Sequence, residues 1–196
     1  MKPVIQNIIN ITKKILDIEF YLPKSCNKGI TGFLFEELNG IKKSCDCLDC
    51  EDGEIKTYPL KKLKCKRIIN KNGNYIPKES VAITMIDPKK IKIEEWKESR
   101  LYNKIKKVLF VGYERKKDFV IFKHIQLMSE ENDKYREIYK IFENDYNLIQ
   151  KSYKEKKVTG SIGKLIQSRT KGKGGLSKKT RAFYFRPFVM KKIENI

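Results

Sequence analysis

The triplet Glu54-Ile55-Lys56 is the combination of side chains in this sequence best suited to chemistry. It follows Asp52-Gly53, a strong turn signal, and residues 54–59 have the pattern of a strand. Successive side chains of a strand point to opposite faces, so we expect Glu54 and Lys56 to project together while Ile55 enters the core. A carboxylate beside an ammonium can bind a hard divalent cation such as Mg²⁺ and orient an attacking water. The triplet therefore predicts metal-assisted hydrolysis, for which a phosphodiester is a suitable substrate.

A second carboxylate is expected near the triplet, because Mg²⁺ prefers one or two carboxylates together with water and phosphate oxygens. Asp46 and Asp49 both precede the Asp52-Gly53 turn, and either could reach across it to Glu54. The residues alone leave the choice between these two aspartates open.

Three cysteines, Cys45, Cys47 and Cys50, are interleaved with these acids. With Cys65 or Cys26 as a fourth ligand they would form a zinc site. The usual paired C-x2-C knuckles are absent, which favours free thiols in a reducing compartment. The only histidine, His124, lies in the strand-like stretch VIFKHIQL and is expected to be a core or edge residue.

The charge balance indicates an anionic partner. The 196 residues contain 44 Lys and Arg against 24 Asp and Glu, a net charge of +20, which favours a polyanion such as nucleic acid. No apolar run is long enough for a transmembrane helix, and residues 1–17 lack the pattern of a signal peptide. We therefore expect a cytoplasmic protein without membrane association.

Periodic apolar residues and turn signals divide the chain into helices and strands. Helices are predicted over residues 3–17, 30–39, 91–106 and 130–155, with Gly40 as a C-terminal cap and Trp96 as a packing anchor. Strands are predicted over residues 54–59, 81–86, 108–113 and 118–128, the last two as a hairpin, and AFYFRPFVMKKI predicts a strand followed by a short helix. One stripe of the long helix is expected to be core packing: Tyr135, Ile138, Tyr139, Phe142, Tyr146 and Ile149. This order of elements predicts an α/β or α+β domain with a mixed sheet.

Residues 156–181 are rich in Lys, Gly and Ser and contain no acids, and they predict a flexible basic loop rather than a packed element. Its basic residues could neutralise DNA phosphates, and they include Arg169, Lys171, Lys173 and Arg181. Arg169 and Lys171 could also donate to guanine edges in the major groove.

Several segments occur in an order that resembles the MutH family. They are KGITGFLFEEL (28–38), an aspartate, GEIKTYPLKKL (53–63), ESRLYNKIKKVLFV (98–111), QSRTKG (167–172) and RAFYFRPFVMKKI (181–193). The family contains the mismatch-repair nicking endonuclease and related GATC-cutting type II restriction endonucleases. The resemblance implies a restriction-endonuclease-like fold of the PD-(D/E)xK type, with a mixed sheet flanked by helices and two arms around a DNA cleft. Residues 1–196 would form one endonuclease domain, with 20–130 as the catalytic arm and 131–196 as the DNA-reading arm.

The resemblance also implies roles for individual catalytic residues. Glu36 matches the helical glutamate of the family, and Lys28 matches a basic residue beside the active site. Glu54 and Lys56 match the E-x-K pair, in which Lys56 would orient or activate the water.

The implied ligands of Mg²⁺ are Asp46, Glu54 and the carbonyl of Ile55. In the family the first aspartate precedes this glutamate by seven residues. Asp46 stands eight residues before Glu54 and Asp49 five, so the family spacing favours Asp46. Arg169, Lys171 and Tyr184 match positions that resemble the family's DNA-reading residues.

The function implied first is that of a type II restriction endonuclease, which hydrolyses double-stranded DNA at GATC with Mg²⁺. The segments KKLK and NGNYIPKES resemble the restriction branch more than the repair branch. A homodimer would suit a palindromic site. One alternative is a mismatch-repair nicking endonuclease, acting with a repair partner at unmethylated or hemimethylated GATC. The other is a catalytically inactive DNA-binding module with a zinc knuckle.

Overall fold

The structure, a computed structural model, describes residues 2–22, 29–42, 47–63, 75–171 and 180–194. The chain divides into two compact units. The first unit consists of Met1–Glu79 and Lys107–Met128, and the second of Ser80–Lys106 and Ser129–Ile196. The regular elements in chain order are α1 (Ile5–Ile15), β1 (Glu19–Tyr21), α2 (Ile30–Leu38), β2 (Glu54–Lys62), β3 (Tyr75–Pro77), β4 (Val81–Met85), α3 (Arg100–Ile105), β5 (Lys107–Arg115), β6 (Phe119–Ser129), α4 (Arg136–Lys154), β7 (Ile166–Thr170), β8 (Arg181–Phe185) and α5 (Pro187–Glu194).

The first unit is built on a five-stranded mixed sheet with the order β1-β6-β5-β2-β3. Strands β2 and β5 pair in parallel, whereas β1 with β6 and β2 with β3 are antiparallel. The predicted hairpin is present between β5 and β6, and it is closed by the bond from Lys116 N to Phe119 O. Mixed strand directions and flanking helices confirm the predicted fold class.

One face of this sheet forms a hydrophobic core with the two helices of the unit. Ile55 of β2 and Leu109 and Val111 of β5 pack with Ile5, Ile8 and Ile9 of α1 and Phe35 of α2. The predicted end of α2 is also present. Gly40 has a φ of 64°, which favours glycine, and the Ile41 N–H donates to Glu36 O at 2.8 Å.

The second unit contains a three-stranded sheet with the order β4-β8-β7 and the long helix α4. Both strand pairs of this sheet are antiparallel. All six residues of the predicted α4 stripe are buried, and Trp96 packs against Tyr146 with ring centroids 5.4 Å apart. The periodicity of α4 therefore identified its core-facing side.

The single helix predicted over residues 91–106 is wrong. Short 3-10 turns occupy Lys90–Lys92 and Trp96–Glu98, and only α3 is α-helical. The backbone of Ser99 is extended (φ −65°, ψ 144°), and its hydroxyl accepts the Tyr102 N–H at 3.0 Å. Ser99 thus caps a new helix instead of continuing an old one.

The loop predicted over residues 156–181 is also wrong in part, because β7 lies within it. Leu165, Ile166, Gln167 and Ser168 are buried, and β7 pairs with β8 along its whole length. Pairing with β8 thus stabilises a strand in a segment whose composition is typical of a loop. Among the described helices, none has both the length and the apolar character that a membrane crossing needs.

Candidate active site

Glu54 and Lys56 meet at the start of β2. Residues 54–56 continue from Gly53 directly into the parallel pairing with β5, in which Glu54 lies beside Val108 and Lys56 beside Phe110. The Glu54 side chain is 1% exposed, and Lys56 Nζ lies 2.5 Å from its Oε1. A buried carboxylate is costly without a compensating cation, and Lys56 supplies that charge. The side chains share one face, as strand alternation predicts.

Ile55 and Asp49 complete the local arrangement. The Ile55 side chain enters the core on the opposite face, while its N–H donates to Asp49 Oδ2 at 3.1 Å. This bond holds Asp49 beside the second residue of β2, next to Glu54 in the chain. Asp49 is therefore the described aspartate that the fold brings to the E-x-K triplet. Asp46, which the family spacing favours, lies outside the described residues.

The donor set fits a hard divalent cation. Two carboxylates bond to the triplet: that of Asp49 accepts the Ile55 N–H, and that of Glu54 pairs with Lys56. The Ile55 carbonyl, between Glu54 and Lys56 in the chain, is a third oxygen donor. Oxygen donors of this kind suit Mg²⁺. In the described part of the chain no group of three or more His, Cys, Asp or Glu side chains forms a metal cluster on its own. A metal here would thus need ligands from water or a phosphate in addition.

The two described cysteines, Cys47 and Cys50, have different surroundings. Cys50 is buried, and burial, together with the negative charges of Asp49, Asp52 and Glu54, raises the pKa of its thiol to about 12. In these surroundings the neutral thiol predominates near neutral pH. Cys47 is exposed. Cys26, Cys45 and Cys65 lie outside the described residues.

Glu36 lies in the last turn of α2, a helix that packs against β2. Its side chain is half-buried, whereas that of Glu37 is exposed. Glu36 is thus the less exposed of these two adjacent glutamates. Lys28 and Lys173 lie outside the described residues.

In the second unit, Arg169 and Tyr184 form a stacked pair. Arg169 of β7 lies opposite Ala182 of β8, and Tyr184 lies opposite Gln167, two residues along on each strand. The guanidinium carbon of Arg169 is 5.4 Å from the centroid of the Tyr184 ring. Arg169 is exposed and Tyr184 is half-buried. A planar cation on an aromatic ring is oriented without being neutralised, which leaves its donors available to a ligand.

Arg181 has a different environment. Its Nε donates to Ser168 Oγ at 2.8 Å and its Nη2 to Ser168 O at 2.9 Å. These bonds tie β8 to β7, so Arg181 supports the sheet. Lys171 is exposed, and paired bonds between Lys171 and Thr180 join the two chain ends that flank residues 172–179.

Asp145 is a residue with an organising role that was not predicted from the sequence. It is fully buried on α4, and its carboxylate accepts three consecutive backbone N–H groups, those of Lys164, Leu165 and Ile166, at 2.6 to 2.8 Å. These bonds fix the start of β7, the strand that carries Arg169. A signal was present in the sequence, because Asp145 is an acid on the apolar stripe of α4.

A second unpredicted arrangement lies farther along β2. The Tyr58 hydroxyl and Nε2 of His124 are 2.5 Å apart, and both side chains are buried. His124 is thus a core residue that bonds to Tyr58, in agreement with the expectation of a core or edge position.

Comparisons with known proteins give matches of two kinds, to a family model and to solved structures. The model of the family described as DNA mismatch repair enzyme MutH matches residues 38–151. Among solved structures, the complex of restriction endonuclease MvaI with its cognate DNA substrate is similar at 14% identity. That match covers 96% of this chain and 93% of the other, with a TM-score of 0.46. A comparison with curated proteins gives no significant match.

Proposed function

The chain belongs to the MutH family, and from this premise we propose that it is a Mg²⁺-dependent endonuclease that hydrolyses double-stranded DNA at GATC sites. Nuclease action on DNA follows from the family. The metal, the recognition site and the mode of cutting are parts of the proposal. We place it in the restriction branch, as a type II enzyme.

The observation that carries the proposal is the contact between Glu54 and Lys56 at the start of β2. A carboxylate that is 1% exposed and an ammonium 2.5 Å away share one face of a strand. Burial of this pair costs free energy that a purely structural protein could avoid with apolar residues of similar size. Such a pairing of an oxygen ligand with a cation suits metal-assisted hydrolysis of a phosphodiester.

The proposed metal ligands are Glu54, the carbonyl of Ile55 and one aspartate. The bond between Asp49 and the Ile55 N–H favours Asp49, whereas the family spacing favours Asp46. A bound Mg²⁺ would lower the pKa of a coordinated water and offset the negative charge that develops on the scissile phosphate.

Lys56 acts on the attacking water in this proposal. Its ammonium lies within hydrogen-bonding distance of Glu54, so it can donate to a water held beside that carboxylate and to a phosphate oxygen. Its side chain is 17% exposed, which leaves it reachable by a substrate. Glu36 and Lys28 would assist at the same site.

The second unit would bind DNA through Arg169, which stacks on Tyr184, and through its other basic residues. Arg169, oriented by Tyr184, has the donors to bind a guanine edge in the major groove. Lys171 and Lys173 would contact phosphates, which adds affinity without sequence choice. Arg181 would contribute indirectly, by joining β8 to β7.

One cleavage assay tests the proposal and separates its branches. The protein is incubated with Mg²⁺ and circular plasmids that carry unmethylated, hemimethylated or fully methylated GATC sites, with a GATC-free plasmid as the control. Linear fragments from GATC plasmids alone are the result expected for a restriction enzyme. Nicked circles would instead assign the chain to the mismatch-repair branch.

The proposal of an enzyme is overturned if GATC plasmids stay intact at every Mg²⁺ concentration while the protein binds them tightly. That result would favour an inactive DNA-binding module, and metal analysis of the purified protein would then test for zinc. Cutting of the GATC-free plasmid at the same rate would refute the recognition site but not the nuclease. Separate Asp46→Ala and Asp49→Ala variants identify the aspartate, because only loss of the true ligand should raise the Mg²⁺ requirement.

A further inference from the structure

The acidic loop, residues 47–53, forms several hydrogen bonds with residues outside the loop. Its Asp49 holds the Ile55 N–H, and the Cys50 N–H donates to Gly53 O at 2.9 Å, which closes the loop just before Glu54. The position of Glu54 and Asp49 therefore depends on whatever holds this loop in place. Its remaining contacts lead to the N-terminal segment and to β5.

The N-terminal segment, residues 2–5, crosses the acidic loop and bonds to it three times. Lys2 Nζ donates to Leu48 O, and the Glu51 N–H donates to Pro3 O at 3.1 Å. The Ile5 N–H, at the first turn of α1, donates to Asp52 Oδ1 at 2.8 Å. An N–H at this point of a helix has no partner within the helix, so Asp52 serves as its cap.

Asp52 also joins the loop to β5. Its other oxygen, Oδ2, lies 2.5 Å from Lys107 Nζ, and Lys107 directly precedes Val108, the partner of Glu54 in the sheet. One carboxylate thus bonds to a helix start and to a neighbouring strand. Both groups it holds are outside the acidic loop.

Close packing at Gly53 makes the same connection. A Cβ at this position would lie 2.4 Å from Ile5 Cδ1 and 2.7 Å from Lys107 O. Only glycine fits between the start of α1 and β5 here. Asp52 and Gly53 therefore hold the loop against the start of α1 and against β5. Asp52 does so by hydrogen bonds, and Gly53 by close packing.

We propose that Asp52 is a positioning residue of the active site, which holds Asp49 and Glu54 in place by clamping the acidic loop to the start of α1 and to Lys107. The inference rests on the proposed function, because the reaction it supports is DNA hydrolysis. Asp52 itself binds neither substrate nor metal. Each oxygen of its carboxylate already accepts one bond, Oδ1 from the Ile5 N–H and Oδ2 from Lys107.

The test compares Asp52→Ala with Asp52→Asn and with Glu51→Ala, in the full chain. Glu51 is an exposed acid in the same loop, so Glu51→Ala makes the same change of charge without releasing the clamp. Asp52→Ala should lower kcat about 10- to 100-fold through misplaced reacting groups, with an unchanged KM for DNA. Asp52→Asn should recover much of the loss, because its amide oxygen still accepts the Ile5 N–H.

Amide hydrogen exchange supplies a readout that needs no activity. Asp52→Ala should speed exchange in peptides that cover residues 3–8 and 47–56, and leave residues 136–154 of α4 unchanged. A variant that is merely less stable would exchange faster throughout. Equal exchange of residues 47–56 in Asp52→Ala and in Glu51→Ala overturns the clamp.

The two proposals fail in different ways. If the unaltered chain cuts no GATC plasmid, the proposed function fails, and the exchange measurement still decides whether Asp52 clamps the loop. If the chain cuts DNA and Asp52→Ala cuts as fast as Glu51→Ala, the positioning role is refuted and the nuclease remains.

Discussion

The Tyr58 hydroxyl lies 2.5 Å from Nε2 of His124, although their strands, β2 and β6, are separated by β5. The position of β5 beside Tyr58 is Gly112. A Cβ there would lie 2.6 Å from His124 Cε1 and 2.9 Å from Leu60 Cδ1. The absent side chain of Gly112 thus provides the space in which the two rings meet.

Gly112→Ala should therefore destabilise the protein by about 1–3 kcal/mol through overpacking. Gly32→Ala is the matched control, because its Cβ would meet only Thr57 Oγ1 at 3.5 Å, and in helix α2 it should stabilise by up to about 1 kcal/mol. Chemical denaturation measures both. If His124 is the obstacle, His124→Ala should cost less in the Gly112→Ala background than alone; additive effects would contradict this explanation.

Lys56→Ala should abolish cutting and retain DNA binding. Removal of a group that handles the attacking water costs about 100- to 10,000-fold in rate. Single-turnover cleavage and metal-free binding measure the two effects. Both are measured below the melting temperature of the variant, because Glu54 loses its ion pair with Lys56. Lys61→Ala, an exposed lysine of the same strand, is the control and should cut normally. Retained cutting by Lys56→Ala would refute the role.

Arg169→Ala should weaken DNA binding and reduce its dependence on salt. If Arg169 contacts a phosphate, its loss should reduce the steepness of the plot of log affinity against log salt concentration by about 1. A base contact would appear instead as reduced preference for GATC. Titrations at several salt concentrations distinguish these results. Lys140→Ala removes a charge from the exposed side of α4 and should leave both quantities unchanged.

Asp145→Asn should weaken both the fold of the second unit and DNA binding. The amide can no longer accept all three N–H groups, and buried donors without partners cost on the order of 3 kcal/mol here. Denaturation and DNA titration measure the two effects. Glu143→Gln, an exposed neighbour on α4, is the control. Unchanged stability of Asp145→Asn would contradict the organising role of Asp145.

Glu130 should contribute to stability only above strongly acidic pH. Burial raises the pKa of its carboxyl, but bonds from Lys97 and Tyr102 outweigh this and hold the pKa below its ordinary value of 4.5. Because the folded pKa is depressed, the stabilisation is complete above the ordinary value and is lost as pH falls through the folded one.

Glu130→Gln should accordingly flatten the fall in stability between about pH 5 and pH 2, compared with the unaltered chain. Denaturation curves at a series of pH values measure this. Glu131→Gln, at an exposed neighbouring position, should leave the dependence as it is. An equally steep fall in Glu130→Gln would contradict the assignment.

Periodicity predicted most elements of the fold. The alternation of β2 and the apolar stripe of α4 each gave the correct side of the element, because side-chain direction follows from backbone geometry alone. The helix predicted over residues 91–106 failed at Ser99, whose hydroxyl caps a new helix there. The loop-like composition of 156–181 concealed β7, which depends on β8 and on Asp145 for its place.

The sequence by itself determined that Glu54 and Lys56 share a face, since two residues of one strand need no distant partner to do so. Only the tertiary structure decided that Asp49 meets the Ile55 N–H, that Asp52 caps α1 and binds Lys107, and that Arg169 stacks on Tyr184. The partners of Asp52 are Ile5 and Lys107, each far from it along the chain. Such contacts follow from how helices and strands pack, and residue spacing within one segment carries no information about them.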